Sequence, residues 1–307
     1  MCPFSLVKSL MGEAKTNILM ILLDHTFPSD IRVEKEALAL KKKYNVFLLT
    51  HRKESEKYFE IREGILILRI DRQFRMIRVL SYLANRLASL LKLVLILSHY
   101  KIEILHIHEL SYALPIAILG KVLRKKVIFD MHENYVGLHS HEWAMGKFGE
   151  EVSARTRLGR LWVLYVRLSE HLVCKLATAV IVVVEENAER LIHLGISKGK
   201  IVVVSNTADI ERLKRFEKKK LNRLFGKKFV VSYVGGFEHH RGLDTLMKAM
   251  LIIVQKTPRI HLLIIGDRSI KRKENLENLS KQLGVREHVT FTAVSYTHLT
   301  LPTNREV

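Results

Sequence analysis

The sequence predicts an α/β protein of two doubly wound parallel-sheet domains, the second of them incomplete. Three observations predict it. At 307 residues the chain exceeds the size that one hydrophobic core usually serves. Short apolar runs suited to buried parallel strands recur along it. Stretches of helical periodicity separate most of these runs, and strand alternating with helix at this rhythm implies a parallel sheet covered on both faces.

Taken in order, the strand-like runs are Ile18–Leu23, Val46–Thr50, Ile65–Ile70, Ile104–Ile107, Val127–Asp130, Ala179–Val184 and Ile201–Val204. Asp30 to Lys43 reads as a helix in which Ile31, Glu34, Ala37, Leu38 and Lys41 fall on neighbouring turns. Its apolar members are expected to face the sheet, with Arg32, Lys35 and Lys42 in water. Asp30 or Ser29 is placed to cap it. Phe74 to Lys101 mixes Arg75, Arg78, Arg86 and Lys92 with Ile77, Leu80, Leu83, Leu87, Leu90 and Leu91. That pattern suits either a sheet-covering helix or a basic amphipathic helix on an anionic membrane surface.

From Asp209 to Lys227 the sequence turns strongly charged, which places the interdomain connection there: residues 1–208 form the first domain and 209–293 the second. The second cycle runs strand Phe229–Val234, a Gly235-Gly236 turn, helix Leu243–Gln255, strand His261–Ile265, a Gly266-Asp267 turn, helix Lys273–Leu283 and strand His288–Thr292. A doubly wound domain normally has five or six strands, so three mark an incomplete one. From Val294 the residues VSYTHLTLPTNREV continue neither period and resemble translated adaptor sequence, so 294–307 is expected to be a non-native tail.

Composition narrows the function classes. Apolar residues make up 48% and charged residues 27%, as in a folded globular chain. The longest apolar run, Leu87–Leu97, is interrupted by Lys92 and is too short to span a bilayer, and the N-terminus lacks a secretory pattern. A cytoplasmic protein is expected. Cys2 and Cys174 form neither a disulfide framework nor a metal-ligand spacing, so no metal is expected. The net charge of +20 attracts polyanions. With no recognisable nucleic-acid-binding module, nucleic acid is not an expected partner.

In an open parallel sheet the ligand sits beyond the carboxyl ends of the strands. Polar residues cluster there. His25 follows the first strand, His108-Glu109 the fourth, and Asp130-Met131-His132-Glu133-Asn134-Tyr135 the fifth. Two His-Glu pairs at two strand ends are expected to face one crevice that binds sugar hydroxyls. In the second domain the stretch YVGGFEHHRGLD ends a strand in a diglycine and opens a helix near Gly242. Such a turn holds anions well, and Arg241, a cation at a helix start, fits a diphosphate placed there. His239 and His240 lie in the same loop.

The ordered series FPSDIRVEKEA, HIHEL, DMHENY, IVVVSNTAD and YVGG…HRGLDTLMKAM…HLLIIGD resembles the glycosyltransferases of family 4, over roughly residues 17–293. The resemblance implies the GT-B fold, with two Rossmann-like domains. It also implies transfer of a sugar from a nucleotide-diphosphate sugar to an acceptor hydroxyl with retention of configuration, and with no cofactor beyond that donor substrate. His132 corresponds to the histidine that contacts the donor sugar, with Glu133 beside it, and these are the implied catalytic residues. Arg241, Gly235 and Gly236 correspond to the diphosphate site, and Asn206 to a structural asparagine at the domain crossover. His25, His108, Glu109, His239 and His240 are assigned to the sugar or acceptor crevice. The implied acceptor is a glycan or lipid-linked saccharide.

Three departures accompany the resemblance. Gly236 stands where many members carry an arginine, which shifts phosphate binding onto Arg241 and the neighbouring His239 or His240. Asp24 to Asp30 replaces a glycine-rich loop. The glutamate-bearing motif that holds the donor's ribose and sugar would fall past residue 307, so the chain is expected to be C-terminally truncated and inactive by itself. A nucleotide-sugar epimerase on the same fold, or a non-catalytic member, are the alternatives.

Overall fold

The computed structural model describes residues 15–23, 27, 30–53, 55–71, 78–144, 157–207, 225–237, 241–266 and 270–292. The tail 294–307 and His25, His239 and His240 lie outside the described residues. The chain divides into two compact units, Met1–Ala208 and Asp209–Val307.

The first unit is built on an eight-stranded sheet. Its strands are β1 (Asn17–Leu22), β2 (Asn45–His51), β3 (Phe59–Arg62), β4 (Ile65–Ile70), β5 (Ile104–His108), β6 (Lys126–Met131), β7 (Ala179–Val182) and β8 (Ile201–Val203). They run in the order β3-β4-β2-β1-β5-β6-β7-β8. Every pairing is parallel except β3 with β4. The strands alternate between two cores. Leu19, Ile21, Phe47, Leu49, Leu105, Ile107, Val127 and Phe129 pack on one face with α2 (Arg78–His99), α3 (Ala113–Val122), α5 (Arg157–Leu176) and α6 (Glu185–His193). Ile18, Met20, Leu22, Val46, Leu48, Ile65 and Ile67 pack on the other face with α1 (Ile31–Leu40). Burial on both faces explains why these strands read as continuous apolar runs. A further helix, α4 (Tyr135–Ala144), packs against α5.

Two features depart from the sequence reading. β3 is an antiparallel edge strand that the reading did not foresee. It pairs with β4 through the two-residue turn Glu63-Gly64, whose φ values of 50° and 77° are those of a tight hairpin. On α1, Asp30 fills the N-cap, accepting from the Arg32 and Val33 amides at 3.0 and 3.1 Å. Val33 and Ala37 are the buried residues, whereas Ile31 is exposed. Arg32, expected in water, instead turns inward, because a buried carboxylate at the end of β6 requires a counter-charge.

Leu93 and Leu97 of α2 enter the core, so this helix covers the sheet, while Leu91 and Leu95 remain exposed. Among the described residues no helix is long and apolar enough to cross a membrane.

The second unit shows a three-stranded parallel sheet among its described residues, in the order β11-β10-β9, formed by β9 (Phe229–Val234), β10 (Ile260–Ile265) and β11 (Val289–Thr292). The helices α7 (Leu243–Lys256) and α8 (Ile270–Gln282) accompany it. Its core joins Phe237, Leu243, Met247 and Met250 to Ile260, Leu262, Ile264, Leu276 and Val289. Gly266 ends β10 hard against the end of β9: a Cβ there would lie 1.8 Å from the Gly235 carbonyl oxygen. Only glycine permits that approach.

Candidate functional site

The sheet's alternation decides where the polar residues of the first unit go. Leu105 and Ile107 enter one core, so His106 and His108 point to the opposite face, toward α1. The register pairs His108 with Asp130. Asp130, fully buried, ends the apolar run of β6 and is the centre of the site. Its Oδ1 accepts from Arg32 Nη2 at 2.8 Å and its Oδ2 from Arg32 Nε at 3.1 Å, a bidentate fork. Arg32 Nη1 donates to the Val204 carbonyl at 3.0 Å and to Asn206 Oδ1 at 2.8 Å, which ties α1 to the segment after β8.

His132 lies between two carboxylates. Its Nε2 donates to Asp130 Oδ2 at 3.2 Å, and its Nδ1 faces Glu109 Oε1 at 3.0 Å. Burial alone would lower its pKa. The hydrogen bonds to Asp130 and Glu109 outweigh that cost and push it up to about 10, so the ring is an imidazolium at neutral pH. Burial would likewise raise the Asp130 pKa, but His108, His132 and Arg32 hold the carboxyl well below the usual carboxylate range. Glu109 is fixed from a second side, accepting from the Tyr135 hydroxyl at 2.8 Å. It sits at a φ of 67°, a left-handed conformation that a non-glycine residue rarely adopts and that concentrates at functional sites.

Behind this pair the other two histidines are neutral. Burial first, then the nearby His108, pushes His106 down to about 3, and burial lowers His108 as well. His108 Nδ1 is 3.2 Å from His132 Nε2 and 3.3 Å from Asp130 Oδ2. Glu36 lies one turn beyond Arg32, 3.1 Å from its Nε, but that N–H already points to Asp130 and the contact lacks hydrogen-bond alignment. Burial and the Asp130 charge raise Glu36 to about 8 against the pull of Arg32, so it is protonated at pH 7.

Glu36, His106, His108 and Asp130 offer donor atoms within 4.8 Å of one another, a set a divalent cation could use. The Arg32 guanidinium, in contact with both carboxylates, already supplies the positive charge there, and the set fits a polar network better than a metal centre.

The structure brings His108, Glu109 and His132 together. Glu133 is not part of the group. It is exposed, because alternation along the chain sends Asp130 and His132 to one side and their neighbours elsewhere. Arg32, Glu36 and His106 were missed, and Asp130, noted in the polar stretch after the fifth strand, was given no role. The available signals were a carboxylate inside the run VIFD, histidines two apart in ILHIH, and an Arg–Glu pair four apart on the α1 helix.

In the second unit, Gly235 and Gly236 form the turn after β9, with the Tyr233 hydroxyl donating to the Gly236 carbonyl at 2.7 Å. Arg241 is exposed immediately before Gly242, the N-cap of α7. Asp244 in the first turn of that helix pairs with Arg272, whose Nε also donates to the Phe237 carbonyl at 3.1 Å. Arg241 thus stands beside the first amides of α7, and helix-start amides are in general suited to anions.

Comparison with known proteins accords with both halves. The glycosyltransferase family 4 profile matches residues 32–212, and the glycosyl transferases group 1 profile matches 214–299. Comparison with curated protein sequences returns no match. Among solved structures the chain is similar to sucrose-phosphate synthase of Thermosynechococcus elongatus, with 18% identity, 93% of this chain and 72% of that one covered, and a TM-score of 0.69. It is similar to HepE of Anabaena in complex with UDP-glucose, with 15% identity, coverage of 90% and 68%, and a TM-score of 0.64. It is also similar to a UDP-N-acetylglucosamine 2-epimerase homologue of Listeria monocytogenes, with 15% identity, coverage of 93% and 71%, and a TM-score of 0.60. At these identities the likeness speaks for the fold, while the family 4 profile alone spans more than half of the sequence. The chain belongs to glycosyltransferase family 4 and is a glycosyl-transferring enzyme of the GT-B fold.

Proposed function

We propose that this glycosyltransferase moves a sugar from a nucleotide-diphosphate donor to an acceptor hydroxyl with retention of configuration, residues 1–208 serving the acceptor and 209–293 the donor. The observation that carries the chemical part is His132, both of whose ring nitrogens face carboxylates. A doubly protonated ring cannot take a proton from the acceptor. His132 is therefore a cationic hydrogen-bond donor that orients the sugar, and the departing diphosphate accepts the acceptor's proton. Arg241, Gly235, Gly236 and the first amides of α7 stabilise the charge that develops on that diphosphate, a preorganised electrostatic role.

The HepE complex with UDP-glucose supports a nucleotide sugar as donor. The acceptor is a glycan or lipid-linked saccharide of cell-surface synthesis, met at the cytoplasmic side of an anionic membrane. The test is thermal stabilisation by UDP-, GDP- and ADP-sugars, with Arg241→Ala as control. One nucleotide class should raise the melting temperature and the variant should lose that rise. A rise that survives in the variant overturns the role of Arg241. The similarity in fold to an epimerase homologue supports a second reading, conversion of the donor sugar itself. Formation of an altered donor with acceptor omitted would favour it.

A further inference from the structure

The helix α5 carries a surface that the sugar-transfer chemistry does not use. Leu161, Leu164, Leu168 and Leu172 follow one another at helical spacings of three and four, and Tyr165 lies four residues after Leu161 and three before Leu168, so the five form one stripe. All five are between 46% and 61% exposed, although the opposite side of the same helix, with Val166 and Val173, is buried in the sheet-facing core. A surface helix of a globular protein normally turns its polar face outward. This one presents leucines.

The charges on α5 say what covers the stripe. Arg160 and Arg167 are exposed along one edge of the stripe, and the half-buried His171 lies on the same edge. Its one acidic residue, Glu170, is buried and accepts from Arg190 at 2.7 Å, so no carboxylate of the helix shares the outer face. Tyr165, exposed beside the leucines and backed at 5.4 Å by the half-buried ring of Trp162, is the amphipathic aromatic favoured where hydrocarbon meets headgroups. The outer face of α5 is thus apolar, edged by cations and free of acids, in a chain of net charge +20.

We propose that the outer face of α5 docks on an anionic lipid bilayer, the leucines entering the acyl boundary and Arg160 and Arg167 meeting phosphate headgroups. The α2 helix, which the sequence suggested for this role, exposes Leu91, Val94 and Leu95 among its described side chains, a smaller outward apolar set than the five residues of α5. The inference rests on the reading of a membrane-side acceptor, but the surface itself requires no donor and can be tested apart from it.

The test is co-sedimentation with phosphatidylcholine vesicles with and without phosphatidylglycerol. It compares the wild-type chain, the pair Leu164→Ser and Leu168→Ser, and the pair Arg160→Glu and Arg167→Glu. The wild type should prefer the anionic vesicles and release in high salt. Each pair should reduce partitioning about tenfold or more, and matching melting temperatures would show that the variants remain folded. Wild-type binding that neither pair diminishes, or no preference for anionic vesicles, overturns the proposal. So does a dimer in sedimentation velocity that the leucine pair dissociates, because the face then belongs to a second copy. UDP-sugar stabilisation measured on the same samples separates the two readings. If it persists while vesicle binding fails, only the docking face is lost. If it fails while vesicles bind, only the donor reading is lost.

Discussion

At the scale of single residues the site is organised around one buried charge. Asp130 receives Arg32 through two hydrogen bonds and also meets His132, so removing its charge leaves the buried guanidinium without its bidentate counter-ion and the imidazolium with Glu109 alone. Breaking a buried pair in this way costs about 3–5 kcal/mol. Asp130→Asn should lose stability of that order in urea denaturation; a variant as stable as the wild type would mean that Arg32 finds its charge balance elsewhere. His108, Glu109 and His132 were legible in the sequence because they follow strand ends, where polar residues stand out. His106 and the central role of Asp130 were not, because inside an apolar run only the facing of alternate positions reveals a polar residue, and that facing depends on which helix covers the sheet.

At the scale of elements, the strands were the most legible part. A parallel strand buried on both faces is an apolar run whatever surrounds it, as in β1, β2 and β4. The antiparallel β3 escaped because FEIR is an edge strand half open to water, and its only plain signal was the Glu63-Gly64 turn. The α1 helix was found with its facing partly wrong. Arg32 and Glu36, four apart and opposite in charge, look like a solvated surface pair, whereas the structure turns both onto the carboxylate end of the sheet. Asp30 sets the start of this helix, and so the position of Arg32. Asp30→Ala should cost about 1 kcal/mol through loss of the cap. An unchanged unfolding midpoint would show that Arg32 alone positions the helix.

At the scale of the whole molecule, buried titrating groups make stability depend on pH. The folded state raises Glu36 to about 8, so it binds a proton that the unfolded chain has released above its ordinary range near 4.5. That contribution is present at low pH and is lost as pH rises through about 8. His106, depressed to about 3, works in the opposite sense: its contribution is present above 6.5 and is lost as pH falls toward 3. Glu36→Gln should remove the alkaline part, giving about 3–4 kcal/mol more stability relative to the wild type at pH 8 than at pH 5. Parallel pH profiles for the two proteins would show that Glu36 titrates normally.

The central claim is that His132 is held as a cation, and the direct measurement is its ring signal in an NMR pH titration. Protonation that persists through pH 8 in the wild type, as the pKa near 10 requires, and a marked downward shift of the midpoint in Glu109→Gln are the predicted results. A wild-type midpoint near the ordinary histidine value of about 6.5 would contradict the account, because His132 would then be free to act as a base.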